Sequence, residues 1–156
     1  LLFLFFSFIG NYALVWIGLM FALILFEEIK HAKFVPALLA TVVTTWITTY
    51  ALKFLVQSPR PGDPFTSSVC PSDFSFPSNH AATSFAAAVV FSNFDRKRSW
   101  MYYSIAILIS YSRIYLHCHR FIDIAGGMVV GTTIALVILR VGRLQSGPLA
   151  KKKKPS

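Results

Sequence analysis

At 156 residues, 55% hydrophobic and 13% charged, with a mean hydropathy of +0.61, the chain fits one domain but is too apolar for an ordinary soluble one. Its apolar residues come in long runs without alternating faces, which points to an all-α, polytopic membrane bundle of about five to six helices. The formal charge of +9 raises a nucleic-acid partner as a possibility, and the placement of the charges argues against one.

Position 1 is Leu and the apolar run starts at once, so upstream sequence is expected; no basic n-region or small-residue cleavage site marks a signal peptide. The first run, Leu1–Phe26, is interrupted at Gly10-Asn11, so residues 1–11 read as the tail of an upstream helix and Tyr12–Phe26 as a span. The second is Phe34–Val56, broken only by Lys53. The third, His80–Phe94, is alanine-rich and shorter than the roughly 17–25 residues a span needs, so it is expected to extend into a water-filled, protein-lined cavity. The fourth is Trp100–Leu116 and the fifth Phe121–Leu139, leaving residues 140–156 as a basic tail of a single domain, 1–156. The longest connection, Gln57–Asn79, contains Pro59, Pro61, Pro64, Pro71 and Pro77 and reads as a structured loop. There is no internal repeat. Gly127 and Gly131 form a small-xxx-small face, suited either to packing within the chain or to a homodimer seam.

Alternating spans place 11 of the 15 cations, Lys30, Lys33, Arg96–Arg98, Arg140, Arg143 and Lys151–Lys154, on one side. The positive-inside rule makes that side cytoplasmic and turned toward anionic lipid. The basic balance thus reflects topology, with no nucleic acid. The other four cations, Lys53, Arg60, Arg113 and Arg120, fall on the outer side beside the histidines. If Ser156 is the true terminus, Lys153-Lys154-Pro-Ser also fits a short dilysine retrieval signal.

Three clusters converge on that outer side: Lys53 with Arg60-Pro61, then Pro77-Ser78-Asn79-His80, then Ser112-Arg113 followed by His119 and Asp123. Cations at a membrane boundary are expensive unless they meet an anion. Arg offers a fork matched to phosphate oxygens and Lys a point charge. The outer side has few acids to offset them, only Asp63, Asp73 and Asp123. Ser78 follows Pro77 and precedes an apolar run, a helix start whose free N–H groups favour an anion. His80 then sits in the first turn, placed to protonate a leaving oxygen. His119 and Asp123 are four apart and share a face if a helix begins there. A carboxylate on one ring nitrogen fixes the tautomer and leaves the other nitrogen free as nucleophile.

These three motifs, in this order, resemble the type-2 phosphatidic acid phosphatase family, lipid-phosphate phosphatases that share a helical core with vanadium haloperoxidases; the resemblance covers about Asn11 to Leu139. It implies that His119 attacks phosphorus, Asp123 orients it, His80 protonates the leaving group, and Lys53, Arg60, Ser78 and Arg113 hold the oxygens. It also implies a covalent phosphohistidine and neither metal nor cofactor. The family's usual Gly between Ser and His is here Asn79, whose amide could add a phosphate contact.

The alternatives are a non-catalytic lipid-phosphate binder or transport component using the same cations, and a vanadate-dependent haloperoxidase, which the membrane setting disfavours. His117 lies off the motif, at a substrate entrance or simply at the interface. Cys70 and Cys118 are either two free thiols or a bridge. The compact loop resembles bacterial enzymes acting on undecaprenyl diphosphate, phosphatidylglycerol phosphate or lipid A phosphate. The expected location is a bacterial plasma membrane with the site facing outward, or the endoplasmic reticulum with a lumenal site if the source is eukaryotic.

Overall fold

A computed structural model describes residues 14–26, 31–61 and 70–144. Among these residues five α-helices follow one another: α1 (Leu14–Leu25), α2 (Phe34–Val56), α3 (Asn79–Phe94), α4 (Ser99–Tyr115) and α5 (Phe121–Leu144), with a 3-10 turn (Arg96–Arg98) between α3 and α4. No strand occurs among the described residues. The expected upstream tail at residues 1–11, the acidic pair Glu27-Glu28, Asp63 and Lys151–Lys154 lie outside them.

The helix bounds follow the apolar runs, with one difference at the C-terminal end. α5 continues past Leu139 through Arg140 and Arg143 to Leu144, since long basic side chains run along a helix while their charges reach polar surroundings. The basic tail therefore begins later than the hydropathy break suggests.

α2 is inverted relative to a soluble amphipathic helix. After the buried Phe34 and Leu38, its inner side continues as Thr41, Thr45, Thr49 and Lys53, spaced four apart. Trp46, Ile47 and Phe54 point outward with 53%, 60% and 55% exposure. Apolar side chains out and hydroxyls in is the arrangement of a helix solvated by lipid. α2 and α5 are both long and apolar enough to cross a membrane. The protein is a membrane-embedded helix bundle.

α3 is the axis of that bundle, packed against α2, α4 and α5. Every residue from Ala81 to Phe91 is buried. The alanine-rich segment is therefore surrounded by protein, and the expected water-filled cavity is replaced by helix contacts. It need not match the bilayer thickness because its neighbours face the lipid: 16 residues give a length of about 24 Å. Small side chains let these neighbours come close. Away from the start of α3, Phe91 joins four helices, with ring centroids 5.5 Å from Trp16, 5.1 Å from Phe34 and 5.1 Å from Tyr102.

The approach is closest at α5. A Cβ on Gly127 would lie 2.5 Å from the Ser78 carbonyl oxygen, and one on Gly131 would lie 2.0 Å from that of Ala82. The Gly127/Gly131 face is thus taken by the chain's own α3, which removes it as a homodimer seam.

Candidate active site

The end of α2, the start of α3, the end of α4 and the start of α5 meet at one end of the bundle, together with the loop from Cys70 to Ser78. Ser78 caps α3: its side chain accepts from Ala81 N–H at 3.5 Å, and its own N–H donates to the Asp123 carbonyl at 2.9 Å. This bond ties the second motif to the third.

The polar cluster between α4 and α5 is built from two helix caps. His117 has φ of +53°, a left-handed conformation that His tolerates better than most residues. His117 N–H donates to Ile114 O at 2.9 Å, and Cys118 and His119 N–H both donate to Arg113 O at 3.1 and 3.2 Å. This is a Schellman end, with His117 in the position usually held by Gly. It locks Arg113 and His119 into one rigid unit, which gives His117 a structural task. On the far side Arg120 starts α5. Its N–H donates to Asp123 Oδ2 at 2.8 Å, the return half of a capping box that fixes the Asp123 carboxylate.

His119 and Asp123 are 4% and 1% exposed. His119 Nδ1 lies 3.5 Å from Asp123 Oδ2 and 3.3 Å from Ser75 Oγ, and the Ser75 hydroxyl donates to Asp123 Oδ2. His119 Nε2 lies 3.1 Å from Arg60 Nη1, which also donates to Cys118 O at 2.8 Å. Ser75 itself is fully buried, and its N–H donates to Ser58 O at 2.8 Å. No motif flags Ser75: a serine between two phenylalanines in a proline-rich loop looks like any turn residue.

The three cations come together but are not left to themselves. Lys53 and Arg113 are 4% and 2% exposed. Lys53 Nζ pairs with Asp73 Oδ2 at 3.1 Å and donates to Phe74 O. Arg60 pairs with Asp73 Oδ1 and donates through Nε to Asp73 O at 2.8 Å. Asp73, one of the few outer-side acids named from the sequence, is folded back by the loop onto both cations, a pairing the sequence did not announce. Burial would raise its pKa, but the hydrogen bond from Arg60 and the charge of Lys53 outweigh burial and hold it below the ordinary carboxylate value. Asn79 Oδ1 accepts from Thr49 at 2.9 Å and Thr83 at 3.4 Å, so its amide oxygen joins α2 to α3. His80 lies in the first turn of α3, one residue after Asn79.

Burial pushes the His119 imidazole down from 6.5 to about 4; Asp123 opposes this, and Arg60, Arg113 and Lys53 reinforce it. The folded chain thus keeps His119 neutral where the unfolded chain would bind a proton. This contribution to stability is fully present above pH 6.5 and is lost as the pH falls from there through 4. Thermal midpoints of wild type and His119→Gln measured between about pH 4 and pH 7 should diverge on acidification, with wild type losing more. Parallel curves would contradict this.

Cys70 and Cys118 are joined in a disulfide across 48 residues, which settles the two alternatives and pins the loop beside His119. Loop-closure entropy makes such a bridge worth about 4 kcal/mol. Cys118→Ser should lower the thermal midpoint in detergent, and denatured wild type without reductant should show no titratable thiol.

A buried histidine with a carboxylate behind one ring nitrogen and arginine at the other, at the end of a membrane bundle, defines a candidate phosphoryl-transfer centre. The profile described as the PAP2 superfamily matches residues 33–145, and the chain belongs to that superfamily. Among curated relatives, undecaprenyl-diphosphatase of Sulfolobus acidocaldarius is 33% identical over 82 residues, 52% of this chain and 39% of that protein. Undecaprenyl-diphosphatase BcrC of Bacillus subtilis is 28% identical over 141 residues, 88% of this chain and 73% of that protein. Two crystal structures share the fold. Aquifex aeolicus LpxE has a TM-score of 0.73 at 24% identity, covering 88% of this chain and 83% of its own. The PAP2-type phosphatidylglycerolphosphate phosphatase of Bacillus subtilis has 0.69 at 21%, covering 97% and 76%.

Proposed function

We propose that the protein is an integral membrane phosphatase that cleaves a lipid phosphate or diphosphate through a phosphohistidine on His119, without a metal, at the extracytoplasmic face. The observation that carries this is the buried His119, whose Nε2 meets Arg60 at 3.1 Å while Nδ1 faces Ser75 and Asp123. In the first step the Nε2 lone pair forms a bond to phosphorus and the bond from phosphorus to the leaving oxygen breaks. The leaving oxygen takes its electron pair and a proton from His80. In the second step water attacks phosphorus, the P–N bond breaks with its electrons returning to Nε2, and His80 recovers a proton from the water. Lys53, Arg60 and Arg113 hold the equatorial oxygens, aided by the start of α3 at Ser78. Phosphate oxygens accept the hydrogen bonds that Asp73 takes from Lys53 and Arg60.

Two relatives carry undecaprenyl diphosphate in their names, and a polyprenyl diphosphate is the substrate class this favours. The excess of cations on the opposite side supports an outward-facing site. Purified protein should release phosphate from undecaprenyl diphosphate faster than from phosphatidylglycerol phosphate, lipid A phosphate or phosphatidic acid, and equally well in EDTA. Release from none of the four would sink the proposal. An impermeant thiol reagent on intact cells should label Ser67→Cys and spare Ser99→Cys; the reverse would invert the topology.

A further inference from the structure

The polar atoms around His119 form a chain whose hydrogen-bond directions are forced from both ends. Arg60 can only donate, so at 3.1 Å from Arg60 Nη1 the Nε2 atom must be the acceptor and carry no proton. At the other end an ionised Asp123 can only accept, so the single Ser75 hydroxyl hydrogen is committed to Asp123 Oδ2. What Ser75 has left to offer His119 Nδ1 is a lone pair, at 3.3 Å. Nδ1 must therefore bring the proton. Both ends give the same tautomer, with hydrogen on Nδ1 and the lone pair on Nε2.

The direct contact from Nδ1 to Asp123 Oδ2 is longer, at 3.5 Å, at the outer limit of hydrogen bonding. That same oxygen is already bonded by Arg120 N–H at 2.8 Å and by Ser75. Ser75 is therefore the nearer partner of Nδ1. It is fully buried and fixed through its N–H to Ser58 O at 2.8 Å, so water cannot substitute for its hydroxyl without entering the core.

We propose that Ser75 is a positioning residue that relays the Asp123 carboxylate to His119 and so holds its imidazole as the Nδ1–H tautomer with Nε2 free to attack. This rests on the phosphohistidine function proposed above, because only a nucleophilic role makes the state of Nε2 matter for turnover. Ser75 touches neither substrate nor phosphorus. It acts through His119, as outer partners of a functional histidine do.

Nitrogen-15 NMR of histidine-labelled protein in micelles reads the tautomer directly. The chain has 4 histidines, and His119→Gln identifies the signal. Wild type should show His119 as pure Nδ1–H near neutral pH. Ser75→Ala should lower kcat about 10- to 100-fold with KM within about twofold, since Arg60 turns from Nε2 to the phosphate oxygens in turnover. In an Arg60→Ala background, where Ser75 alone fixes the ring, the same change should turn a pure Nδ1–H signal into a mixture of tautomers. Ser75→Thr, which keeps the hydroxyl, should recover both the tautomer and most of kcat. If Ser75→Ala does not fold, Ser75→Cys takes its place, with a weaker acceptor at the same position and the same direction of change expected. A pure Nδ1–H signal when the Ala or Cys change is made in the Arg60→Ala background, or kcat of the single variant within about twofold of wild type, overturns the relay. A mixed-tautomer signal in that background, in a protein whose wild type hydrolyses no lipid phosphate, supports the relay geometry and overturns the phosphatase function instead.

Discussion

His119→Ala is expected to lower phosphate release by at least about 10⁴-fold, because it removes the atom proposed to bond to phosphorus and no neighbour can replace it. Substrate binding should survive. Lys53, Arg60 and Arg113 reach the site from α2, from the loop and from α4, and none depends on the imidazole for its place. Arg60 keeps Asp73 and the Cys118 carbonyl as partners. Inhibition by inorganic phosphate should therefore persist in the variant. Arg60→Ala should behave differently, weakening phosphate binding as well as turnover, since Arg60 meets His119 and is proposed to hold the oxygens as well. Wild type quenched in alkaline denaturant, where the P–N bond survives, should yield phosphohistidine, and His119→Ala none. A variant that still turns over normally would refute the nucleophile. A wild type that binds lipid phosphate and never releases it would favour a binding or transport component.

The spans were readable because long apolar runs end at charges, prolines or polar turns, and the three motifs were readable because each is contiguous or nearly so. What escaped was whatever depends on the loop folding back. Asp73 lies 20 residues beyond Lys53 in sequence and looks like a loop acid, yet it pairs with Lys53 and Arg60 together. Ser75 reaches partners 44 and 48 residues away, which no local pattern announces. The orientation of α2 is a different case. Thr41, Thr45, Thr49 and Lys53 stand at a regular spacing of four, and in an otherwise apolar span that stripe marks the face turned toward protein. The alanines of α3 carried a similar signal: small side chains on all sides suit a helix surrounded by other helices better than one facing lipid.

Gly131→Ala is expected to destabilise the protein by about 2–4 kcal/mol, a large effect for one methyl group. The new Cβ would lie 2.0 Å from the Ala82 carbonyl oxygen and 2.7 Å from its carbonyl carbon. Both are backbone atoms in the buried stretch of α3, so no side chain can swing aside and α5 itself must move. Gly18 supplies the control: it lies within α1, and nothing stands within 4 Å of where its Cβ would be. Gly18→Ala should be neutral or stabilising by roughly 0.5–1 kcal/mol, since alanine favours a helix interior more than glycine does. Thermal unfolding in detergent compares the two directly, and equal midpoints would show that α3 and α5 do not touch as closely as described. The same displacement should reach the chemistry. The start of α5 is held to α3 by the 2.9 Å bond from Ser78 N–H to Asp123 O, and from that turn Asp123 Oδ2 lies 3.5 Å from His119 Nδ1. Moving α5 outward at Gly131 therefore strains the proposed nucleophile pair two turns away, and kcat should fall in Gly131→Ala even at temperatures where the variant is fully folded, while Gly18→Ala keeps it.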